Sequence, residues 1–525
     1  MSEAKKPCRP VSLACLALCL CTAPSALAQN VPTENARGTL TSRNAVEIAV
    51  QNNPTLHVAL LQEAQARYAV RAEEALYDPI FDANASITHT RSPSLRGTDG
   101  TIVSTSDTQA IGASLTKTFA LGTTIEAAVS GQRRTSASPP INNLGGANAV
   151  GPGYSVLGQL TLTQPFLRGA GTGVGLASLR VARLNRTAAT LAAQQAGSQV
   201  LHDVLIAYWE LWYSSEAVRI DEASRDLAKM LEEQAREQVK SGTLANVDAL
   251  PYSTQLATQE EAVLSQAMDQ RQRSLSLAQS IGRANRSGPD LTSADTPPDV
   301  TVDDLGERAV EDALGASYEL KQLEAQLQIS QDQAKIAGDA LRPQLNLNAS
   351  VSAQGLGNRQ VSPAFDQFGR MEAVSAQVGL TFETPVTDTR RSAQVEQALL
   401  GVHIAQKQIE AARQQLRTDV ESALAATSAA KRRLELALIT EKVAHDQAEG
   451  QRGKFLAGTA LAIEVQQADD AHRQAQLRVQ RARVDLVEGE LNLLHLRGKL
   501  LERYADVLKN YKPTAQILKD ANDAF

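Results

Sequence analysis

The sequence predicts a mainly α-helical chain whose β-strands contribute to a membrane β-barrel. Three observations lead to this fold class. Apolar residues recur at the coiled-coil period over very long stretches, segments of membrane length alternate apolar and polar residues, and the order of these elements occurs twice. Aromatic side chains make up only 4% of the 525 residues, which disfavours a compact catalytic core. Ala, Leu and Gln are the most frequent residues instead, and this usage is typical of long helices.

Residues 1–28 are predicted to be a cleaved export signal. Basic residues precede the apolar run from Val11 to Leu20, and the small-residue site Ala26-Leu27-Ala28 follows it. An uncleaved membrane anchor, or a lipid anchor on Cys21, is the alternative. All four cysteines lie within this segment, so no disulfide is expected in the mature chain. No later run of about 18 apolar residues occurs, so any membrane crossing is expected to be made by β-strands.

An internal repeat organises the rest of the chain. A shift of 264 residues places identical residues on one another near the start of each copy, with Ala45, Val46 and Ala49 on Ala309, Val310 and Ala313. Further on, a shift of 216 residues does the same for Asp203-Val204 and Asp419-Val420. The chain is therefore expected to comprise an N-terminal lead at 29–39, a first copy at 40–283, a linker at 284–303, a second copy at 304–503 and a C-terminal tail at 504–525.

Strict alternation of apolar and polar residues predicts the strands. In the second copy, strands are expected within 344–384, where the residues from Leu345 to Ala353 and from Val374 to Phe382 alternate. In the first copy they are expected within 80–165, at Phe81 to Thr90, at Tyr154 to Thr163 and in a further hairpin at Ile111 to Ser130. Runs of about ten residues can cross a bilayer at a tilt. Four strands per chain are predicted, or six if the hairpin joins the sheet.

Very long helices are predicted to follow the strands, at about 176–281 and about 392–503. Apolar residues from Val395 to Ala437 recur about every 3.5 residues, which is the coiled-coil period. One helix is therefore expected from Ser392 to about Arg452, and its counterpart from Leu176 to Lys240. Prolines, which lack an N–H and can end one element before the next begins, stand at the predicted strand–helix junctions: Pro79, Pro165, Pro343 and Pro385.

A single chain has too few strands to close a barrel. About eight strands are the minimum for closure, and an open sheet in lipid would leave its edge N–H and C=O groups without partners. Three chains with four strands each would close a twelve-stranded barrel, and six strands each would close an eighteen-stranded one. A homotrimer is therefore expected, in which the long helices continue the barrel as a tube around a shared pore.

The repeated plan, the strand end Leu160-Thr-Leu-Thr-Gln-Pro165 and two helix turns together resemble the TolC-type outer-membrane efflux protein family. The resemblance covers nearly all of the chain after the signal. It implies a periplasmic tunnel of long helices below the barrel, with the two turns at its tip. The residues that match the family's turns and its acidic constriction are Gly242, Thr243, Asp248, Gly458, Thr459 and Glu464.

The tip departs from one well-known pattern of that family. Phe455 occupies the position of a Tyr, Ala460 that of an Arg and Gln467 that of an Asp. Residues that lock the closed tip are thus absent, and a different gate network is implied. Asp248 and Glu464 also stand near helix starts, where a carboxylate favours the positive end of the helix dipole, so helix capping is the alternative role.

The expected function is that of an outer-membrane channel-tunnel that extends into the periplasm of a Gram-negative cell. It would pass solutes or polypeptides to the exterior as the exit duct of a tripartite efflux or type I secretion system. The resemblance implies three kinds of partner besides its own copies, namely a periplasmic adaptor protein, an energised inner-membrane transporter and outer-membrane lipid.

Other classes of function find little support in the sequence. It shows no catalytic constellation and no metal or cofactor motif, so no enzyme activity and no cofactor are expected. A formal net charge of −6 without a basic stripe gives no indication of a nucleic-acid partner. The alternative is a structural coiled-coil protein of the envelope without a conducting lumen.

Overall fold

The structure is a computed structural model that describes residues 39–95, 101–138, 148–283, 291–299, 306–457 and 459–506. The predicted signal, residues 29–38 of the lead, parts of the linker and the tail beyond residue 506 lie outside the described residues.

Each half of the chain runs from short helices through strands to two long helices. The first half contains β1 (Thr39–Leu40), α1 (Ser42–Asn52), α2 (Pro54–Ala75), β2 (Ile80–Leu95), β3 (Thr101–Thr118), β4 (Thr124–Ser138), β5 (Asn148–Pro165), α3 (Thr172–Gly175), α4 (Ala177–Lys240) and α5 (Asn246–Ser280). The second half contains β6 (Thr292–Ser293), α6 (Gly306–Ala316), α7 (Tyr318–Ala340), β7 (Gln344–Asn358), α8 (Ser362–Gly369), β8 (Ala373–Glu383), α9 (Thr389–Leu456), α10 (Ala462–Leu496) and α11 (Leu500–Arg503).

Six strands form one antiparallel sheet in the order β2-β3-β4-β5-β7-β8. The hairpin β3–β4 lies inside this sheet, paired with β2 on one side and with β5 on the other. Of the two predicted numbers, four and six, the sheet of one chain thus has six strands, while the number that each chain contributes to a barrel stays a prediction. Strands β2 to β5 also extend well beyond the predicted ten residues. The sequence did not predict their far ends because these are rich in Ser, Thr and Gly and carry no apolar alternation.

The long helices pair along seams of small residues. Helices α4 and α9 contain 64 and 68 residues, so each is about 100 Å long at 1.5 Å per residue. Helix α4 packs along α5, and α9 packs along α10. On α10 the seam residues stand seven apart, at Ala468, Ala475, Ala482 and Gly489. A Cβ at Gly489 would approach the Thr427 hydroxyl to 2.7 Å, so the two helices meet closely at this glycine.

The largest core lies where the short helices meet the long ones. Tyr208, Trp209 and Trp212 of α4 are buried there among residues of α1, α5 and α10. The hydroxyl of the fully buried Tyr208 donates to the carbonyl of Leu40 at 3.0 Å and accepts the N–H of Asp295 at 3.1 Å. These two bonds hold β1 and the linker strand β6, which pair in parallel, against the helices. Among the described helices, none is long and apolar enough to cross a membrane.

Candidate functional site

The two faces of the six-stranded sheet differ sharply in chemistry. One row of paired residues, here assigned to the apolar face, runs across all six strands as Phe81, Leu115, Ala127, Leu160, Val351 and Ala376. The adjacent row, on the polar face, reads Asp82, Ser114, Ala128, Gln159, Ser352 and Ser375. Because successive side chains of a strand point to opposite sides, this difference continues along the sheet. The polar face can line an aqueous passage, and the apolar face needs an apolar environment.

The apolar face is largely uncovered within one chain. Val378, at the centre of β8, is 73% exposed, and Phe81 at the start of β2 is 69% exposed. Exposed apolar surface of this extent is typical of an interaction or membrane surface. Among the described residues, the first strand β2 and the last strand β8 each have a strand partner on only one side, so the sheet ends in two open edges.

The predicted junction prolines all stand at strand ends. Pro79 immediately precedes β2, Pro343 immediately precedes β7, Pro165 is the last residue of β5, and Pro385 follows the end of β8 by two residues. The segment that follows Pro165 is bound to the start of β7. The N–H of Arg168, three residues after Pro165, donates to the Pro343 carbonyl at 3.2 Å.

Further hydrogen bonds fix the chain where the sheet meets the helices. The N–H of Gly169 donates to the buried carboxylate of Asp339 at 2.7 Å. The N–H of Gly171 donates to the carbonyl of Leu121 at 3.1 Å, which ties the turn of the hairpin β3–β4 to this junction. A Cβ at Gly175 would approach the Ala120 carbonyl oxygen to 2.1 Å, so only glycine permits this close contact. The hairpin is thus attached to the same junction as the other strands.

The two turns between long helices close with the same hydrogen bonds. Thr243 donates its N–H and its hydroxyl to the carbonyl of Gln238, at 2.9 and 3.0 Å. Thr459 donates the same two groups to the carbonyl of Lys454, at 2.9 and 3.0 Å. Gly242 has a φ of +76°, a left-handed conformation that favours glycine at a helix end. Gly242, Thr243 and Thr459 therefore lie in these turns, whereas the predicted Gly458 lies outside the described residues, and the place of the turns at a periplasmic tip stays a prediction.

The predicted tip carboxylates lie in the first turns of α5 and α10, and both are exposed. Glu464 accepts the N–H of Leu461 at 3.4 Å, which is the capping role. Asp248 makes no ion pair within the described part of the chain. Phe455 is half-buried in the last turn of α9. Helix capping by Glu464 is thus present in the single chain, while a gating role of either carboxylate concerns contacts between chains and stays a prediction.

A polar network that the sequence did not predict connects the helix pairs above the tip. Arg473 of α10 donates to the buried Asp221 of α4 at 2.9 Å. Asp470, one turn earlier on α10, accepts from the amide groups of Gln255 and Gln259 on α5, the latter at 3.1 Å. Breaking a buried ion pair on one side leaves an uncompensated charge, which costs about 3–5 kcal/mol. The network therefore holds α10 in a fixed position against α4 and α5.

A second network joins the same helices further from the tip. Arg481 donates to Glu210 and to Asp485 at 2.7 Å each, and to Glu488 at 3.2 Å. Its guanidinium also lies 5.5 Å from the centre of the Tyr213 ring. Burial, together with the neighbouring carboxyl of Glu210, raises the pKa of Glu488 to about 7. This network therefore contains one carboxyl group whose pKa is raised above its ordinary value.

Comparison with known proteins agrees with this architecture. Residues 309–499 match the family model described as outer membrane efflux protein. The matched segment lies in the second half of the chain and spans just over a third of its length. Comparison with curated proteins gives no match.

Several solved structures share the fold over nearly the whole chain. The chain is similar to the CmeC outer membrane channel of Campylobacter jejuni, with a TM-score of 0.65, 12% identity and coverage of 90% of each chain. It is also similar to the outer membrane protein VceC of Vibrio cholerae, with a TM-score of 0.62, 15% identity and coverage of 87% of this chain and 96% of that one. The chain is similar as well to the Neisseria gonorrhoeae MtrE outer membrane channel, with a TM-score of 0.61, 16% identity and coverage of 89% of this chain and 94% of that one. Identities this low establish the shared fold alone.

The family match and the shared fold support three of the predictions. These are an outer-membrane location with an extension into the periplasm, a part in efflux as a channel component, and transport rather than enzyme activity. Among the described residues, no group of three or more His, Cys, Asp or Glu side chains is placed to hold a metal ion.

Proposed function

We propose that three copies of the chain close their sheets into one eighteen-stranded barrel that continues as a helical tunnel. This channel passes solutes from the periplasm to the exterior. The observation that carries the proposal is the sheet itself, with one polar face, one apolar face and two open edges on β2 and β8. Closing the edges between chains supplies partners for the edge N–H and C=O groups. It also directs the polar face to the lumen and the apolar face to lipid.

The stagger of the strands supports closure. Paired residues connect Ile80 on β2 through the intervening strands to Gln377 on β8. Strand β2 begins at Ile80, whereas β8 continues for six residues beyond Gln377, to Glu383. The stagger of six residues, at a rise of about 3.3 Å per residue, is spread over five strand spacings of about 4.8 Å. The ratio of these two lengths corresponds to a strand tilt of about 40°. Closed barrels require tilts of about 35–45°, so the sheet is already sheared for closure.

The width of such a barrel bears on the cargo. Eighteen strands at this tilt and spacing give about 36 Å between opposite strands, against about 24 Å for twelve. The barrel therefore admits polypeptides as well as small solutes, and the selection of cargo falls to the helical tip. Because of this width, the proposal includes a role in type I secretion as well as in small-molecule efflux.

The proposed partners act at the tip. A passive duct needs an energised inner-membrane transporter and a periplasmic adaptor protein, because the channel itself has no source of energy. The two similar turns at Gly242-Thr243 and at Thr459 present exposed helix ends, which are the surfaces available for such docking. Outer-membrane lipid surrounds the barrel in this arrangement.

We also infer that the chain arose by tandem duplication. The buried residues Ala309, Val310 and Ala313 of α6 pack on Val420 of α9, just as the equivalent residues of α1 pack in the core that contains Val204 of α4. Asn53 and Ser317, which the same shift relates, each cap the following helix. The matching residues of the two copies thus occupy matching places in the fold.

Neutralising the tip tests the proposed gate. In the double variant Asp248→Asn, Glu464→Gln, loss of the contacts that close the proposed gate is expected to raise single-channel conductance, or loss of the rim charges to lower cation preference, about twofold. The second effect follows because charges within a Debye length set the local ion concentration. The measurement is conductance and reversal potential of the purified trimer in a planar bilayer. Glu410→Gln, which neutralises an exposed carboxylate in the middle of α9, serves as the control. Unchanged conductance and selectivity in the double variant would remove the gating role, and a purified wild-type protein that conducts no ions would contradict the channel itself.

A further inference from the structure

A short helix rests on the apolar face of the sheet. Helix α8, between β7 and β8, places Ala364 and Phe368 against the strands, and Ala364 is fully buried. Glycines make room for it. A Cβ at Gly158 would approach the Phe368 ring to 2.7 Å, and one at Gly355 would approach the Ala364 carbonyl oxygen to 1.8 Å. Both glycines belong to rows of the apolar face. Under the proposed function this face meets lipid, so α8 lies outside the barrel.

The helix creates a groove on that face. A cavity of about 590 Å³ opens beside α8, with Ile111, Gly131 and Val156 among the residues of its floor. Val361 and Phe365, at the side of α8, form its wall and are 47% and 56% exposed. The floor extends from β3 to β5 and also includes Ala85 and Ile87 of the edge strand β2. An apolar groove in this position faces the membrane.

The groove changes from apolar to polar along the strands. One row beyond Ile111 and Gly131, away from the long helices, the paired residues are Gln109, Arg133 and Tyr154. Arg133 and Gln109 are joined by a weak hydrogen bond of 3.4 Å, and Arg133 makes no ion pair within the described part of the chain. Since the helices extend into the periplasm, this polar rim lies toward the exterior. This polar rim therefore lies at the depth of the lipid head groups, beyond the acyl chains.

We propose that the groove is a binding site for a phosphate-bearing lipid of the outer membrane. An acyl chain fills the apolar part between α8 and the strands, and the guanidinium of Arg133 binds the lipid phosphate. A guanidinium presents a planar fork of donors that matches phosphate oxygens, and its hydrogen bonds to a charged group are about twice as strong as neutral ones. The inference rests on the proposed function, because it requires the apolar face to meet lipid.

The chain offers a closely matched control for this arginine. Arg134 is the next residue of β4, so its side chain projects from the opposite, polar face. There its Nε donates to the hydroxyl of Ser106 at 3.1 Å. Arg133→Ala and Arg134→Ala remove the same side chain from adjacent positions, and only the first removes it from the groove.

Lipid binding is tested on the purified trimer in detergent, titrated with dioleoylphosphatidylglycerol and observed by native mass spectrometry. We expect the wild type and Arg134→Ala to bind one lipid per protomer and Arg133→Ala to bind about tenfold more weakly, the loss of one charge-assisted hydrogen-bonded contact. Dioleoylglycerol, which has the same chains and no phosphate, should bind the wild type as weakly as the phosphate lipid binds Arg133→Ala. Equal binding by both arginine variants would overturn the proposal.

A second measurement separates failure of the groove from failure of the channel. Phe365→Trp and Ser130→Trp place a fluorophore on the groove wall and on the polar face, while the natural Trp209 and Trp212 are buried among the helices. In proteoliposomes of phosphatidylglycerol brominated on its acyl chains, only the Phe365→Trp signal should be quenched. Quenching of Ser130→Trp instead would mean that the orientation of the sheet, and with it the proposed channel, is wrong. Quenching of Phe365→Trp together with full lipid binding by Arg133→Ala would remove the groove proposal alone.

Discussion

Val378→Arg is expected to abolish assembly of the trimer in the outer membrane. Val378 lies at the centre of β8 on the apolar face and is largely exposed in the single chain. An arginine at the midplane of the lipid face of a barrel costs about 2–4 kcal/mol. The cost arises three times in a trimer, so it is comparable to the whole stability of an ordinary domain, about 5–15 kcal/mol. The measurement is the amount of heat-modifiable trimer in outer-membrane fractions.

The neighbouring residue provides the control for that experiment. Gln377 lies on the polar face, paired with Ser350, and Gln377→Arg places the same charge toward the aqueous lumen. Trimer should form at close to wild-type levels in this variant. Equal loss in both variants, or no loss in either, would contradict the assignment of the two faces.

Excision of the hairpin is expected to narrow the channel. In a variant lacking residues 101–138, β2 can pair directly with β5. The two strands are antiparallel, and Phe81 and Leu160 occupy the same row of the apolar face. Three such chains would close twelve strands instead of eighteen. Because barrel diameter grows about linearly with strand number, the barrel cross-section should fall about twofold. Exclusion of poly(ethylene glycol) of graded size from the open channel, applied from the exterior side, measures this change.

The outcome of the excision distinguishes two positions for the hairpin. If β3 and β4 are barrel strands, the excised trimer excludes polymers that enter the wild type. An unchanged size limit in a variant that still forms a heat-modifiable trimer would mean that the hairpin lies outside the barrel wall. The tip variant Asp248→Asn, Glu464→Gln should leave this exterior size limit as in the wild type, since its substitutions lie at the opposite end of the channel.

The periodic recurrence of apolar residues explains what could be predicted from the sequence. The strands β7 and β8 and the long helix α9 were found within a few residues, because each repeats one chemical environment with its own period. The outer parts of β2 to β5 were missed, since beyond the membrane band both faces of the strands are polar and the alternation disappears. Helix α8 was missed as well, because eight residues with a proline at the start show no helical period.

The residues that couple the helices could not be read from spacing. Asp221, Asp470 and Arg473 are single polar positions in long polar-rich helices, and only the fold shows that they meet. Asp248 and Glu464 present the converse case. Their position after each turn was predictable, but in the proposed gate their partners would belong to other chains. Contacts between subunits cannot be predicted from the local sequence pattern of one subunit.

Cross-linking across the open edges tests the central claim that three chains share one barrel. All four cysteines precede residue 22, so new thiols can be placed in the sheet without competition from others there. Ala85→Cys on β2 is combined in turn with Val374→Cys, Ala376→Cys and Val378→Cys on β8, and the oxidised protein is examined in outer membranes. At least one pair should give a ladder that ends at three chains. Monomers alone for every pair, or a ladder that continues beyond three, would contradict a closed trimeric barrel.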